Sequence, residues 1–123
     1  MKIAVSRREL LEAINMAKGI VQTKTSLPVL ADVLLTASEG TLNVVASDLK
    51  VHISYNVDCA VEYPGACAVS CHRLAQLLSS LKADELSLEQ VDSSVVLIRA
   101  GKAEVRFFSH SAEDFPQIPE VTA

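Results

Sequence analysis

Tryptophan is absent from this 123-residue chain, and two tyrosines and three phenylalanines are its only aromatics. Stacking bases on a protein surface needs aromatic faces, so a platform for single-stranded nucleic acid is not expected. Glycine is scarce as well, at four residues. No glycine-rich phosphate loop, G-x-S-x-G elbow or H-E-x-x-H motif occurs. The cysteines number three, and an odd count argues against a disulfide scaffold and for a reducing cytoplasm. Cys67, Cys71 and His72 lie close in sequence. Zinc asks for about four convergent ligands and no second Cys/His pair accompanies them, so neither metal nor cofactor is expected. There is no charged-then-apolar leader and no apolar run approaching about twenty residues, so neither secretion nor a membrane partner is expected.

Positive charge is also in deficit. The net charge is −4, whereas a free-standing nucleic-acid binder is usually basic. Any contact with nucleic acid must then be local and made to phosphates. The acids Asp48, Glu62, Asp84, Glu85 and Glu89 fall at strand ends, turns or polar faces, where solvation is their ordinary role. His52 sits on the polar side of a strand pattern and His110 near the end. Nothing in their spacing asks for an acid–base pair, so catalysis is not expected.

What the chain does contain is a repeat. Ala4-Val5-Ser6-Arg7-Arg8-Glu9-Leu10 returns as Ala68-Val69-Ser70-Cys71-His72-Arg73-Leu74, and Ile14, Ala17 and Lys18 are answered by Leu78, Leu81 and Lys82. A period of half the chain means one domain built from two copies of one unit, not a solenoid. Each copy opens with a short apolar strand, Ile3 to Val5 or Ala66 to Val69. A capping serine follows, Ser6 (with Glu9 completing a capping box) or Ser70. Leu10, Leu11, Ile14 and Ala17 then form one apolar stripe at helical spacing, and Leu74, Leu77, Leu78 and Leu81 the other.

After each helix the period falls to two. Leu42, Val44 and Ala46 alternate with polar neighbours, as do Val51, Ile53, Tyr55 and Val57. In the second copy Leu86 and Leu88 alternate, then Ala103, Val105 and Phe107. This is the pattern of half-buried antiparallel strands. Glu39-Gly40, Asp92-Ser93 and Ala100-Gly101 mark turns. The fold class is α+β: two pseudo-symmetric βαβββ repeats, about 1–60 and about 64–110, with a tail over 111–123. Matching Val51 to Val105 and Ile53 to Phe107 leaves about ten extra residues after the first helix, within Gly19 to Ala31. That segment is either a functional insertion or an ordinary longer connection.

The outer helix faces are polar. Arg8, Glu12 and Asn15 lie opposite the first apolar stripe, and His72, Gln76, Ser79 and Ser80 opposite the second, with Arg73 to one side. Two readings stay open: an ordinary solvated face, or a smooth wall that tolerates nearby phosphates without gripping them.

An ordered series of short segments then resembles a known family. Met1-Lys2-Ile3-Ala4-Val5, Ser26-Leu27-Pro28-Val29-Leu30, Gly40-Thr41-Leu42, Ala46-Ser47-Asp48-Leu49, Pro64-Gly65-Ala66, Arg99-Ala100-Gly101-Lys102 and Asp114-Phe115-Pro116 resemble the bacterial DNA sliding clamps, the β subunits of the replicative polymerase. The resemblance implies the DNA-clamp fold, antiparallel sheets with two helices on one face. It also implies a role as the first of three domains in a two-chain ring around duplex DNA, which holds the polymerase on its template without catalysing anything. Polymerase and clamp loader would bind through the complete clamp. The prolines after Phe115 read as an extended linker, and the chain is expected to be that first domain alone. Carried over residue by residue, Lys24 matches a DNA-contacting base, and His72 stands where a second base often occurs. Arg73 matches a basic residue near the subunit interface and is a further candidate for DNA. Val105 and Phe107 match the apolar pair of the edge strand that joins the partner's third domain, and Lys102 a neighbouring charge. Glu104 stands where the family can have a base. Without the resemblance, Val105 and Phe107 would be read as core. Two other classes compete: an interaction module of the same fold with no DNA role, and a small α+β enzyme.

Overall fold

A computed structural model describes residues 1–21, 28–92, 94–110 and 115 of the chain. Two copies of one element series follow each other. The first is β1 (Lys2–Ser6), α1 (Arg7–Lys18), β2 (Asp32–Ser38), β3 (Thr41–Ser47) and β4 (His52–Tyr63). The second is β5 (Gly65–Ser70), α2 (Cys71–Ser80), β6 (Glu85–Asp92), β7 (Val95–Ala100) and β8 (Ala103–His110). Both helices start as the serines require. Ser6 Oγ accepts from the Glu9 N–H at 3.3 Å, and Ser70 Oγ from the Arg73 N–H at 3.4 Å. Between β2 and β3, Glu39 and Gly40 both have positive φ, 50° and 76°. That combination is the two-residue hairpin turn whose twist matches its strands. The Asp92-Ser93 turn includes Ser93, which lies outside the described residues.

The strands pair antiparallel in one closed circuit, β1-β4-β3-β2-β5-β8-β7-β6. Exchanging the copies maps this circuit onto itself. Each first strand lies between the last strand of its own copy and the second strand of the other. The α+β duplication expected from sequence is therefore present, and neither copy closes alone. α1 and α2 pack on each other, and their inner stripes, Leu10, Ala13, Ile14 and Ala17 with Cys71, Leu74, Ala75 and Leu78, join the strand interiors in one core. A small second cluster, Val45 and Ala68 with Phe115, lies apart from it.

The registers correct one correspondence. Val44 pairs with Tyr55, and Ile98 with Val105; Leu42 pairs with Val57, and Val96 with Phe107. The last strands therefore match Tyr55 to Val105 and Val57 to Phe107, four residues from the alignment read off the sequence. The cause is the β3–β4 connection, which runs through Asp48–Val51 where β7 and β8 are joined by Gly101 and Lys102 alone. Val51 belongs to that connection and is exposed. The longer link after α1, residues 19–31 against 81–84, does lie where the sequence puts it. Residues 22–27, including Lys24, and all of the tail 111–123 except Phe115 lie outside the described residues.

Candidate functional site

The site begins with a strand that is paired on one side only. β8 pairs with β7 from Ala103 to Phe108, but reaches β5 only at Ser109 and His110. Between Ala103 and Phe108 the other side of the backbone meets no strand among the described residues. Unmet N–H and C=O groups in a row are a template for another chain. α2 flanks this edge. The groove between them, of about 650 Å³, is lined by Arg73, Gln76, Leu77 and Ser80 on the helix side and Val105 to Phe108 on the strand side.

The groove has an apolar floor and a cationic rim. Val105 and Phe107 are half-buried and pack against the main core, so core and edge describe the same two side chains. Phe108 is 85% exposed. Arg73 and Arg106 are exposed cations on its two walls. At one end Asp32 is buried and hydrogen-bonded through Oδ2 to Nδ1 of His110. Burial pushes the Asp32 carboxyl above its ordinary range, while the hydrogen bond and charge of His110 pull the other way.

The opposite repeat has an equivalent edge with different chemistry. β4 pairs with β3 from His52 to Asp58 and with β1 only beyond that, so His52–Asp58 is also open on one side among the described residues. At its centre the outward residues Ser54 and Asn56 are neutral, and Asp58 is an exposed acid at its end. The Asn43 amide donates to Ser54 Oγ at 2.7 Å and to Asn56 Oδ1 at 2.8 Å. The places of Ser54 and Asn56 are held on β8 by Glu104 and Arg106.

The structure brings Arg73, Val105 and Phe107 into one groove. Lys102 stands at the exposed turn that starts β8, and Glu104 is exposed with its carboxylate 3.2 Å from Nε of Arg99. His72 does not lie on the solvent face where the helical projection puts it. It is half-buried, and its Nε2 is shielded with no hydrogen-bond partner. Arg8 holds the same place in α1 and is exposed, so the shielding of His72 comes from what surrounds α2 and not from helix geometry. Arg8, Glu12, Asn15, Gln76, Ser79 and Ser80 are exposed as expected. Sequence reasoning did not name Leu77, Arg106 or Phe108 among the site residues. Phe108 could have been found, because a phenylalanine on the polar register of an alternating strand breaks the pattern.

No helix among the described residues is long and apolar enough to cross a membrane. The sequence model of the DNA polymerase III beta subunit N-terminal domain matches residues 1–119. The beta sliding clamp of Pseudomonas putida is 30% identical over 121 residues, which are 98% of this chain and 33% of that protein. A putative DNA polymerase III beta subunit from Eubacterium rectale superposes with a TM-score of 0.93 at 26% identity, over 99% of this chain and 33% of that one. The DNA polymerase sliding clamp from Caulobacter crescentus gives 0.91 at 26% identity, over 98% of this chain and 33% of the other. The chain spans about a third of the length of the curated relatives it matches. With the family match running from the first strand past the last, and the fold shared throughout, the chain belongs to the DNA polymerase III beta subunit N-terminal domain family.

Proposed function

We propose that this chain acts as one link of a sliding-clamp ring that encircles duplex DNA in the bacterial cytoplasm and holds a polymerase on it, with no catalytic role of its own. The observation that carries this reading is the pair of open edges, His52–Asp58 and Ala103–Phe108, at equivalent places in the two repeats. A domain with one open edge in each copy can pair at both, as a closed ring of like domains requires. The α2–β8 groove then receives a second subunit, with Val105 and Phe107 as the apolar contact and Arg73, Lys102 and Glu104 as its charged surroundings. Polymerase and clamp loader are partners of the assembled ring.

Asn15, Gln76 and Ser79 on the outer helix faces, with Arg8 and Glu12 of opposite charge beside Asn15, suit the wall of a channel. Short polar side chains tolerate phosphates, and topology rather than affinity supplies the hold. Lys24 is the DNA contact in this reading. Arg73 belongs to the groove in preference to DNA, and the shielded Nε2 of His72 offers little to a phosphate. The test is anisotropy of labelled duplexes of unrelated sequence across a salt series. The chain should bind weakly, alike on every sequence and less as salt rises, because only phosphates are met. Lys24→Ala should weaken all duplexes equally. Sub-micromolar, sequence-selective binding at physiological salt would overturn the reading.

A further inference from the structure

A row of alternating charges crosses five neighbouring strands and stops at the open edge of β8. Glu62 on β4 lies 3.4 Å from Lys2 on β1, and Lys2 lies 4.0 Å from Glu89 on β6. Glu89 in turn lies 4.0 Å from Arg99 on β7, and Arg99 lies 3.2 Å from Glu104 on β8. The last member is an acid with no strand beyond it among the described residues. The next strand in this row should bring a cation. β8 itself carries one, Arg106, two residues from Glu104 on the same face.

We infer that the β8 edge is self-complementary and pairs antiparallel with β8 of a second copy of this chain, with Val105 on the twofold axis. A twofold perpendicular to the sheet preserves its faces, so opposed residue numbers must share parity. Centred on Val105, Glu104 stands opposite Arg106 of the second copy, and the pair occurs twice. Val105 meets its counterpart, Ala103 meets Phe107, and Lys102 comes opposite the exposed Phe108, a cation over an aromatic ring. The charge row then continues as Arg99, Glu104 and Arg106 of the second copy. Centring two residues' worth of register away, on Arg106, sets arginine against arginine and Glu104 against Phe108. Like charges directly opposite are destabilising, so the first register is chosen. The β4 edge lacks the central charge pair, since Ser54 and Asn56 hold the equivalent places and are already bonded to Asn43, and its Asp58 is an acid at the end of the edge.

This pairing does not depend on the ring. It competes with a ring partner for the same edge. Six residues of edge and a shallow groove make a small contact, so the dimer is weak and appears only as concentration rises from about 10 µM to about 1 mM. Sedimentation across that range is the test, on the chain itself and on Glu104→Arg and Arg106→Glu. Either variant alone sets like charges opposite each other twice and should weaken self-association about tenfold or more. Mixing the two variants restores both opposite-charge pairs, and the mixture should associate as the parent does. Amide exchange on the unmodified chain gives a reading free of folding effects: protection should grow with concentration within Ala103–Phe108 and not within His52–Asp58. A parent chain still monomeric at the highest concentration, a mixture no tighter than its components, or new protection at β4 instead of β8 would each overturn the inference.

Discussion

Arg7 and Cys71 hold the same place in the two copies, the first residue of α1 and of α2, and each reaches a carbonyl in the C-terminal half of the other helix. The Arg7 guanidinium donates to the carbonyls of Leu78 and Ala83, both at 2.9 Å. The Cys71 thiol faces the carbonyl of Ile14, the counterpart of Leu78, at 3.6 Å. One contact is a charged fork and the other a weak donor. The links that follow the helices account for the difference. After α1 the chain turns back on itself, and the N–H groups of Ile20 and Val21 both donate to Ala17 O, at 2.9 and 3.2 Å. After α2 only residues 81–84 precede β6, and the Leu81 N–H is the backbone donor that returns, to Leu77 O at 3.1 Å. The short link leaves carbonyls unmet, and a cation at a helix C-terminus satisfies them while opposing the helix dipole. The same duplicated frame thus solves one problem twice, by backbone in one copy and by a borrowed side chain in the other.

At the centre of the core the two copies should agree. Ile14 and Leu78 are both fully buried in the one core. Ile14→Ala and Leu78→Ala should each cost roughly 2–5 kcal/mol, because the lost burial and the cavity add. Urea unfolding measures both. A gap between them as large as the effects themselves would mean that the copies do not share a core equally.

The sharper contrast lies at the helix starts. Arg7→Ala removes a charged donor from two carbonyls and should cost about 1.5–3 kcal/mol, towards the lower end because water reaches part of the side chain. Cys71→Ala removes a weak hydrogen bond and one sulfur from the core, and should cost about 1 kcal/mol. Burial pushes the Cys71 thiol up to about 12, so it stays a donor at any ordinary pH. If Cys71→Ala proved the more damaging, the assignment of the stronger clasp to Arg7 would fail.

These differences show where sequence reading ran out. The duplication, both helices and the strand alternation were legible because each is a local period. Ala4–Leu10 and Ala68–Leu74 repeat almost in place, and Leu10, Ile14, Leu74 and Leu78 fall where a stripe at helical spacing puts them. The closed circuit was not legible, since β1 meets β6 and β5 meets β2 only through the other copy. The match of Tyr55 to Val105 was hidden by unequal hairpins. At the candidate site, Val105, Phe107 and Arg73 were named through family resemblance; composition alone made the first two ordinary core. The surroundings that make a groove of them, Leu77, Arg106 and Phe108, depend on α2 lying beside β8, which no local pattern encodes. His72 was misplaced because a wheel projection carries nothing of what packs around a helix, and its counterpart Arg8 is exposed where His72 is half-buried.

The smallest expected effect concerns Asp32, a buried acid that the second copy does not reproduce among the described residues. Asp32 opens β2 opposite Ser70, while its counterpart Glu85 opens β6 opposite Ser6 and is exposed. Burial holds the Asp32 carboxyl above its ordinary value of 3.8, with His110 only partly offsetting this. The native state therefore keeps the Asp32 proton to higher pH than the unfolded chain does. By linkage, the contribution of this group to stability is greatest below 3.8 and declines as pH rises from there through the native value. Asp32→Asn keeps an acceptor for His110 but cannot titrate. The stability of the unmodified chain relative to this variant should fall from acid towards neutral pH, and thermal unfolding of both across that range measures it. Glu85→Gln is the matched change at the exposed site of the other copy. A relative stability that rises with pH would mean that the charge of His110 outweighs burial at Asp32, and that the groove end is held by an ion pair instead of a proton.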